Sequence, residues 1–159
     1  MIVIELPDEA ATAALAAGLA GLAQPGDVIA LRGELGAGKT AFARAFIRAR
    51  GAGPDEAVPS PTFTLVQLYD LPGGTVWHFD GYRLRDPEEA WELGIEDAFR
   101  DGIALVEWPE RFGRLLPARR LELTLAPGAA PTARRAVIDA GRDPAGDWIS
   151  RLAALAAEG

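Results

Sequence analysis

Gly33-Glu34-Leu35-Gly36-Ala37-Gly38-Lys39-Thr40 follows an apolar run over 28–31 and precedes a helix-like run over 41–50. Strand, glycine-rich loop and helix in that order form the setting in which G-x-x-x-x-G-K-[ST] becomes a phosphate cradle. The glycines let backbone N–H groups turn inward with no Cβ in the way. The helix that begins near Lys39 adds unpaired N–H groups and the positive end of its dipole. In such a loop the lysine reaches the β- and γ-phosphates and the threonine hydroxyl holds Mg²⁺. The loop from Gly33 to Thr40 is thus the expected cofactor-binding segment. At average residue usage a chance match in a chain this long is on the order of one in a hundred or lower. Lys39 is also the one lysine in a chain with fifteen arginines. A phosphate loop calls for a compact ammonium rather than a planar fork.

The rest of the composition narrows the class. A length of 159 residues is expected to make one domain over 1–159, large enough for a real core. Twelve prolines and 18 glycines punctuate a chain that is about half apolar. The lack of cysteine excludes disulfides, a thiol nucleophile and cysteine-based metal sites. The N-terminus has no basic n-region and no apolar run approaches a membrane span, so a cytoplasmic location and no membrane contact are expected. A formal charge of −7 argues against unaided nucleic-acid binding, because phosphate neutralisation dominates that affinity. If RNA is involved, a partner holds it.

Pattern and punctuation predict a strand over 2–6 and a helix capped by Asp8 that runs to 23. A strand over 28–32 leads into the loop and its helix. A β-rich run over 62–69 and a strand over 75–80 read as a hairpin across 71–74. Asp86-Pro87-Glu88-Glu89 is a helix start: a cap, proline at the first position, then acidic residues. That helix ends near Gly94, and a short one follows over 95–99. An apolar, buried-type strand covers 103–107 and ends in the carboxylate of Glu107. Runs over 120–125 and 134–140 pair as a second hairpin, and a helix over 145–158 closes the chain. Helices interleave with strands early and hairpins dominate later. The expected fold is therefore an α/β, P-loop NTPase-like sandwich with a mixed, partly antiparallel central sheet flanked by helices.

A phosphate loop needs a carboxylate at a neighbouring strand end, to hold the Mg²⁺ shell or orient water. Asp80 and Glu107 each close an apolar run and are the candidates; the ordinary alternative is a residue emerging into water or capping the next turn. Ser60-Pro61-Thr62-Phe63-Thr64 offers hydroxyls at a strand entry that can sense a γ-phosphate, Thr62 foremost; strand-start threonine is the plainer role. His78, the one histidine, shares the face of Asp80 by alternation, although a hydrogen-bonded packing role is more usual for it. Trp108 either flanks the nucleotide or packs. Trp77, Trp91 and Trp148 read as packing. Arg83 and Arg85 are either an arginine acting in cis, a partner contact or a solvated patch. Asp70-Leu71-Pro72-Gly73 matches the D-x-x-G of GTPases, but their guanine-reading N-K-x-D requires a second lysine. The Ser-Gly-Gly-Gln signature of transporter ATPases is missing too. Adenine is the better expectation.

Taken in order, these segments resemble the bacterial TsaE family, ATPases of tRNA threonylcarbamoyladenosine synthesis. The likeness is carried by the helix after Asp8, the loop Gly33 to Thr40, Ser60-Pro61-Thr62-Phe63-Thr64-Leu65-Val66, and His78-Phe79-Asp80 with Tyr82-Arg83-Leu84. Glu92-Leu93-Gly94-Ile95 and Leu105-Val106-Glu107-Trp108-Pro109 complete it. The resemblance implies ATP binding and slow hydrolysis in support of a TsaB–TsaD-type partner complex. That complex transfers a threonylcarbamoyl group to an adenosine next to the tRNA anticodon, with tRNA met only indirectly. It further implies that Thr40 and Glu107 serve Mg²⁺, that Asp80 is the Walker-B-like carboxylate, that Thr62 lies in a switch-like loop, and that Thr12 lies near the base. Position 81 is Gly where the family usually has a larger apolar residue, which implies a looser backbone after Asp80. A nucleotide-gated binding module and a small-molecule kinase are the rival readings.

Overall fold

The computed structural model describes residues 1–141 and 148–158. Strands β1 (Ile2–Leu6), β2 (Val28–Arg32), β3 (Val66–Leu71), β4 (Gly74–Asp80), β5 (Ile103–Glu107), β6 (Leu121–Pro127) and β7 (Arg134–Asp139) form one sheet in the order β1-β7-β6-β2-β5-β4-β3. Its centre is parallel: β2 pairs with both β5 and β6, and β4 pairs with β5. Antiparallel hairpins flank it, β3 on β4 at one side and β7 on β6 at the other, with β1 antiparallel to β7. The mixed sheet is as expected.

The central strands are buried on both faces, which is why 28–31 and 103–106 read as unbroken apolar runs. One face carries α1 (Glu9–Leu22), α2 (Lys39–Ala49) and α4 (Trp148–Glu158), with Leu15, Leu19, Phe42, Phe46 and Trp148 packed on Ile29, Leu31 and Leu105. The other face carries α3 (Ile95–Asp101) and two 3-10 helices, Pro87–Leu93 and Pro109–Leu115, closing over Val28, Ala30, Phe79, Ala104 and Val106. Burial of each large side chain contributes about 1.5–3 kcal/mol. In α1, Leu15 and Leu19 recur at i and i+4 and the Asp8 carboxylate accepts from the Ala11 N–H at 2.8 Å. Asp86 caps as its sequence implies: it accepts from the Glu88 N–H (3.0 Å), and its own N–H donates to Glu89 (3.1 Å).

The structure corrects four readings. The strand expected from residue 62 begins at Val66 and reaches Leu71. Residues 61–65 turn instead: the Leu65 N–H donates to the Pro61 carbonyl (2.6 Å) and Leu65 takes a left-handed φ of 69°. The stretch 109–115, with no expected element, is a 3-10 helix with proline at its first turn. Trp91 is exposed and donates to Glu88 rather than packing inside. Gly81 is not loose. Its N–H donates to the Glu107 carbonyl at 3.0 Å, and Phe112 of the second 3-10 helix fills the volume a side chain would take. Of the closing helix, the expected start over 145–147 lies outside the described residues.

Candidate functional site

The site forms where β2, β4 and β5 end on one edge of the sheet. β2 delivers the loop 33–38 into α2, and β4 and β5 end in register with Asp80 opposite Glu107. Carboxylates that close these runs are held at 3% and 2% exposure. Both strands stop there because the chain turns sharply afterwards, into Gly81 and into Trp108 at a left-handed φ of 54°. Such a φ costs a non-glycine residue about 1–3 kcal/mol. It brings the Trp108 indole back over the loop.

The loop has the backbone a cradle requires. Gly33, Gly36 and Gly38 all have positive φ. At Gly33 space is limiting as well, since a Cβ would stand 2.7 Å from the Leu125 carbonyl and 2.9 Å from the Ala37 Cβ. Among the described residues no side chain caps the start of α2, so its first-turn N–H groups have no side-chain partner at the N-cap. Lys39 folds back over the loop: its Nζ donates to the Gly33 carbonyl and to that of Glu34 (3.3 Å), and lies 3.6 Å from the centre of the Trp108 ring. Burial pushes the Lys39 ammonium below the ordinary lysine value, against the upward pull of Glu107, Glu110 and Asp80.

The two carboxylates hold separate sets of partners. The Thr40 hydroxyl lies 3.0 and 3.1 Å from the two oxygens of Glu107. His78 Nε2 approaches the same carboxylate at 2.6 Å. Asp80 accepts from the Thr62 hydroxyl at 2.9 Å and from the Tyr82 N–H at 2.9 Å. Ser60 extends that chain, its hydroxyl 2.8 Å from Thr62. The turn over 61–65 carries the Thr62 hydroxyl that meets Asp80.

A cleft of about 320 Å³ gathers Leu35, Gly36, Ala37, Gly38, Lys39 and Thr40 from the loop with Thr62, Asp80, Glu107 and Trp108. Gly33 and Glu34 do not line it; their carbonyls hold Lys39. Thr12 is in a second cleft of about 550 Å³ with Arg44, Arg48 and Arg134, and the two clefts share Gly38 and Ala41. Arg83 and Arg85 do not face the first cleft; Arg83 stacks over exposed Phe63 at 4.2 Å. Asp70 forms part of the β3–β4 hairpin, bound by the Thr75 hydroxyl at 2.6 Å.

Sequence reasoning missed the brace on the loop from the far hairpin. Arg134 Nε donates to the Ala37 carbonyl at 2.8 Å, and its Nη2 to that of Gly36 at 3.3 Å. Nothing near either residue in sequence signals a partner almost a hundred positions away. Alternation did place His78 on the correct face, but not against Glu107.

A strand, a phosphate loop and a helix, with a lysine folded over the loop and a hydroxyl–carboxylate pair at its mouth, define a P-loop α/β protein. Comparison narrows this class. Residues 6–136 match the family model of threonylcarbamoyl adenosine biosynthesis protein TsaE, and the chain belongs to that family. It is 40% identical over 120 residues to the tRNA threonylcarbamoyladenosine biosynthesis protein TsaE of Rickettsia bellii, covering 76% of this chain and 83% of that one. The TsaE of Bacillus subtilis is 41% identical over 120 residues, covering 75% and 72%. The crystal structure of B. subtilis YdiB superposes with a TM-score of 0.78 at 26% identity, over 99% of this chain and 95% of that one. Members of the family take part in tRNA threonylcarbamoyladenosine biosynthesis. Among the described residues no helix is long and apolar enough to cross a membrane.

Proposed function

We propose that this chain is a single-domain cytoplasmic ATPase that binds ATP and hydrolyses it slowly, in support of a TsaB–TsaD-type complex. That complex transfers threonylcarbamoyl to the adenosine next to the tRNA anticodon. The observation that carries the reading is the Thr40 hydroxyl held on both oxygens of Glu107 at the mouth of the loop. A hydroxyl and a carboxylate are hard oxygen donors suited to Mg²⁺. Among the described residues no group of three or more His, Asp or Glu stands ready for a metal. Thr40 and Glu107 would thus hold Mg²⁺ together with substrate phosphates, as that ion is commonly bound. When bound, Mg²⁺ neutralises charge on the β- and γ-phosphates.

The remaining roles follow from positions. N–H groups of the loop and of α2 cradle the phosphates, and Lys39 exchanges its carbonyl partners for phosphate oxygens. Trp108 walls the cleft beside Lys39. The nucleoside fits the adjoining cleft at Thr12, whose bordering Gly38 and Ala41 also border the first. Asp80, held by Thr62 and the Tyr82 N–H, orients the water that attacks the γ-phosphorus as ADP departs. Thr62 acts as a switch, because its turn depends on the Asp80 contact and on a left-handed Leu65. The acidic charge fits a subunit that meets tRNA only through partners.

The test is phosphate release with and without the partner pair. Strong stimulation is expected. No stimulation would favour a nucleotide-gated binding module, and phosphate appearing on an added metabolite would favour a kinase.

A further inference from the structure

We propose that His78 is a positioning residue that fixes the Glu107 carboxylate for the metal; the inference rests on the reading that Thr40 and Glu107 serve Mg²⁺. His78 is fully buried on β4, its Nε2 2.6 Å from Glu107 Oε2. Its other ring nitrogen, Nδ1, is buried with no hydrogen-bond partner among the described residues. A neutral imidazole carries one N–H and one lone pair. A buried donor left without an acceptor is costly, and genuinely orphaned buried N–H groups are rare. The proton therefore resides on Nε2 and is donated to Glu107, and Nδ1 keeps its lone pair.

This donation has a geometric consequence. Glu107 is tied to the sheet through its backbone, but its carboxylate sits at the end of a flexible side chain. Thr40 alone touches both oxygens nearly equally and so does not choose between rotations of the group. The Nε2–H bond to Oε2 removes that freedom and leaves Oε1, 3.0 Å from the Thr40 hydroxyl, as the oxygen that His78 does not engage. A packing histidine would need only its shape here, whereas a positioning histidine needs its donor. Partners that orient metal ligands typically change metal affinity by about 10–100-fold.

Two measurements test the assignment. Because His78 is the one histidine, ¹⁵N-histidine labelling of the full chain yields a single imidazole in long-range ¹H–¹⁵N spectra. Protonated Nε2 and unprotonated Nδ1 are expected, with a larger change on adding Mg²⁺ and ADP than on adding ADP with EDTA. A proton on Nδ1 would overturn the proposal without any variant. The second measurement is the affinity for a fluorescent ADP analogue with EDTA and with Mg²⁺, in wild type, His78→Leu and His78→Gln. Leu preserves bulk and Gln preserves an N–H near the Nε2 position. We expect His78→Leu to bind the analogue normally in EDTA and to need about 10-fold or more extra Mg²⁺ for its effect, and His78→Gln to restore most of it. A His78→Leu response equal to wild type would overturn the role of His78 alone. No Mg²⁺ response in wild type itself would overturn the metal reading beneath it.

Discussion

A methyl group added at Gly81 tests how tightly Asp80 is held. A Cβ there would lie 2.8 Å from Phe112 Cε2, 2.8 Å from the Trp108 carbonyl and 3.0 Å from Arg111 Cβ. Favourable carbon contacts lie at about 3.5–4.0 Å, so all these neighbours must retreat. Two of them cannot do so freely. The Trp108 carbonyl is backbone, and it also accepts from the Arg111 N–H at 3.0 Å. The Phe112 ring is set edge-on to Phe79, with centroids 6.1 Å apart. Gly81 is not among the residues with positive φ, so the cost is one of space alone. Overpacking of this kind costs about 1–3 kcal/mol. At about 2–4 °C per kcal/mol for a chain of this size, Gly81→Ala should melt roughly 2–12 °C lower. Urea unfolding followed by tryptophan fluorescence gives the free energy, and a thermal melt gives the shift. Turnover should fall more than stability accounts for, because the strain lands beside Asp80. An unchanged midpoint would refute the packing argument.

Glu107→Ala and Asp80→Ala should each retain nucleotide binding and lose turnover, measured by titration and by phosphate release in the presence of partners; unchanged turnover in both would show that the acidic assignments are wrong. At Glu122, burial works to raise the carboxyl, but hydrogen bonds from Arg32 and Arg120 outweigh it and hold the group below the ordinary glutamate value. A lowered carboxyl contributes stability that is complete above the ordinary glutamate range and is lost as pH falls through the lowered value. Wild type should therefore exceed Glu122→Gln in stability at neutral pH, and the gap should close in acid; urea midpoints that keep a constant gap into acid would contradict this.

The phosphate loop was legible in the sequence because its determinants are local: glycines where φ is positive, and one lysine at a helix start. The sheet was legible for a similar reason, since doubly buried strands read as unbroken apolar runs and strand-end carboxylates stand out against them. What escaped depends on contacts between distant residues. Thr62 lies in a turn whose side-chain partner, Asp80, stands 18 positions on. His78 meets Glu107 only because β4 and β5 are adjacent and parallel. The Arg134 brace requires the second hairpin to fold beside the loop, and no local pattern encodes that. The 3-10 helix after Trp108 did carry a local signal, proline then glutamate as at Pro87.

The central claim is that the loop from Gly33 to Thr40 holds nucleotide phosphates through Lys39. Calorimetric titration of Mg²⁺ and ATP into wild type and Lys39→Ala tests it most directly. Saturable binding in wild type and none in the variant is the predicted result. Full affinity retained by Lys39→Ala would contradict it.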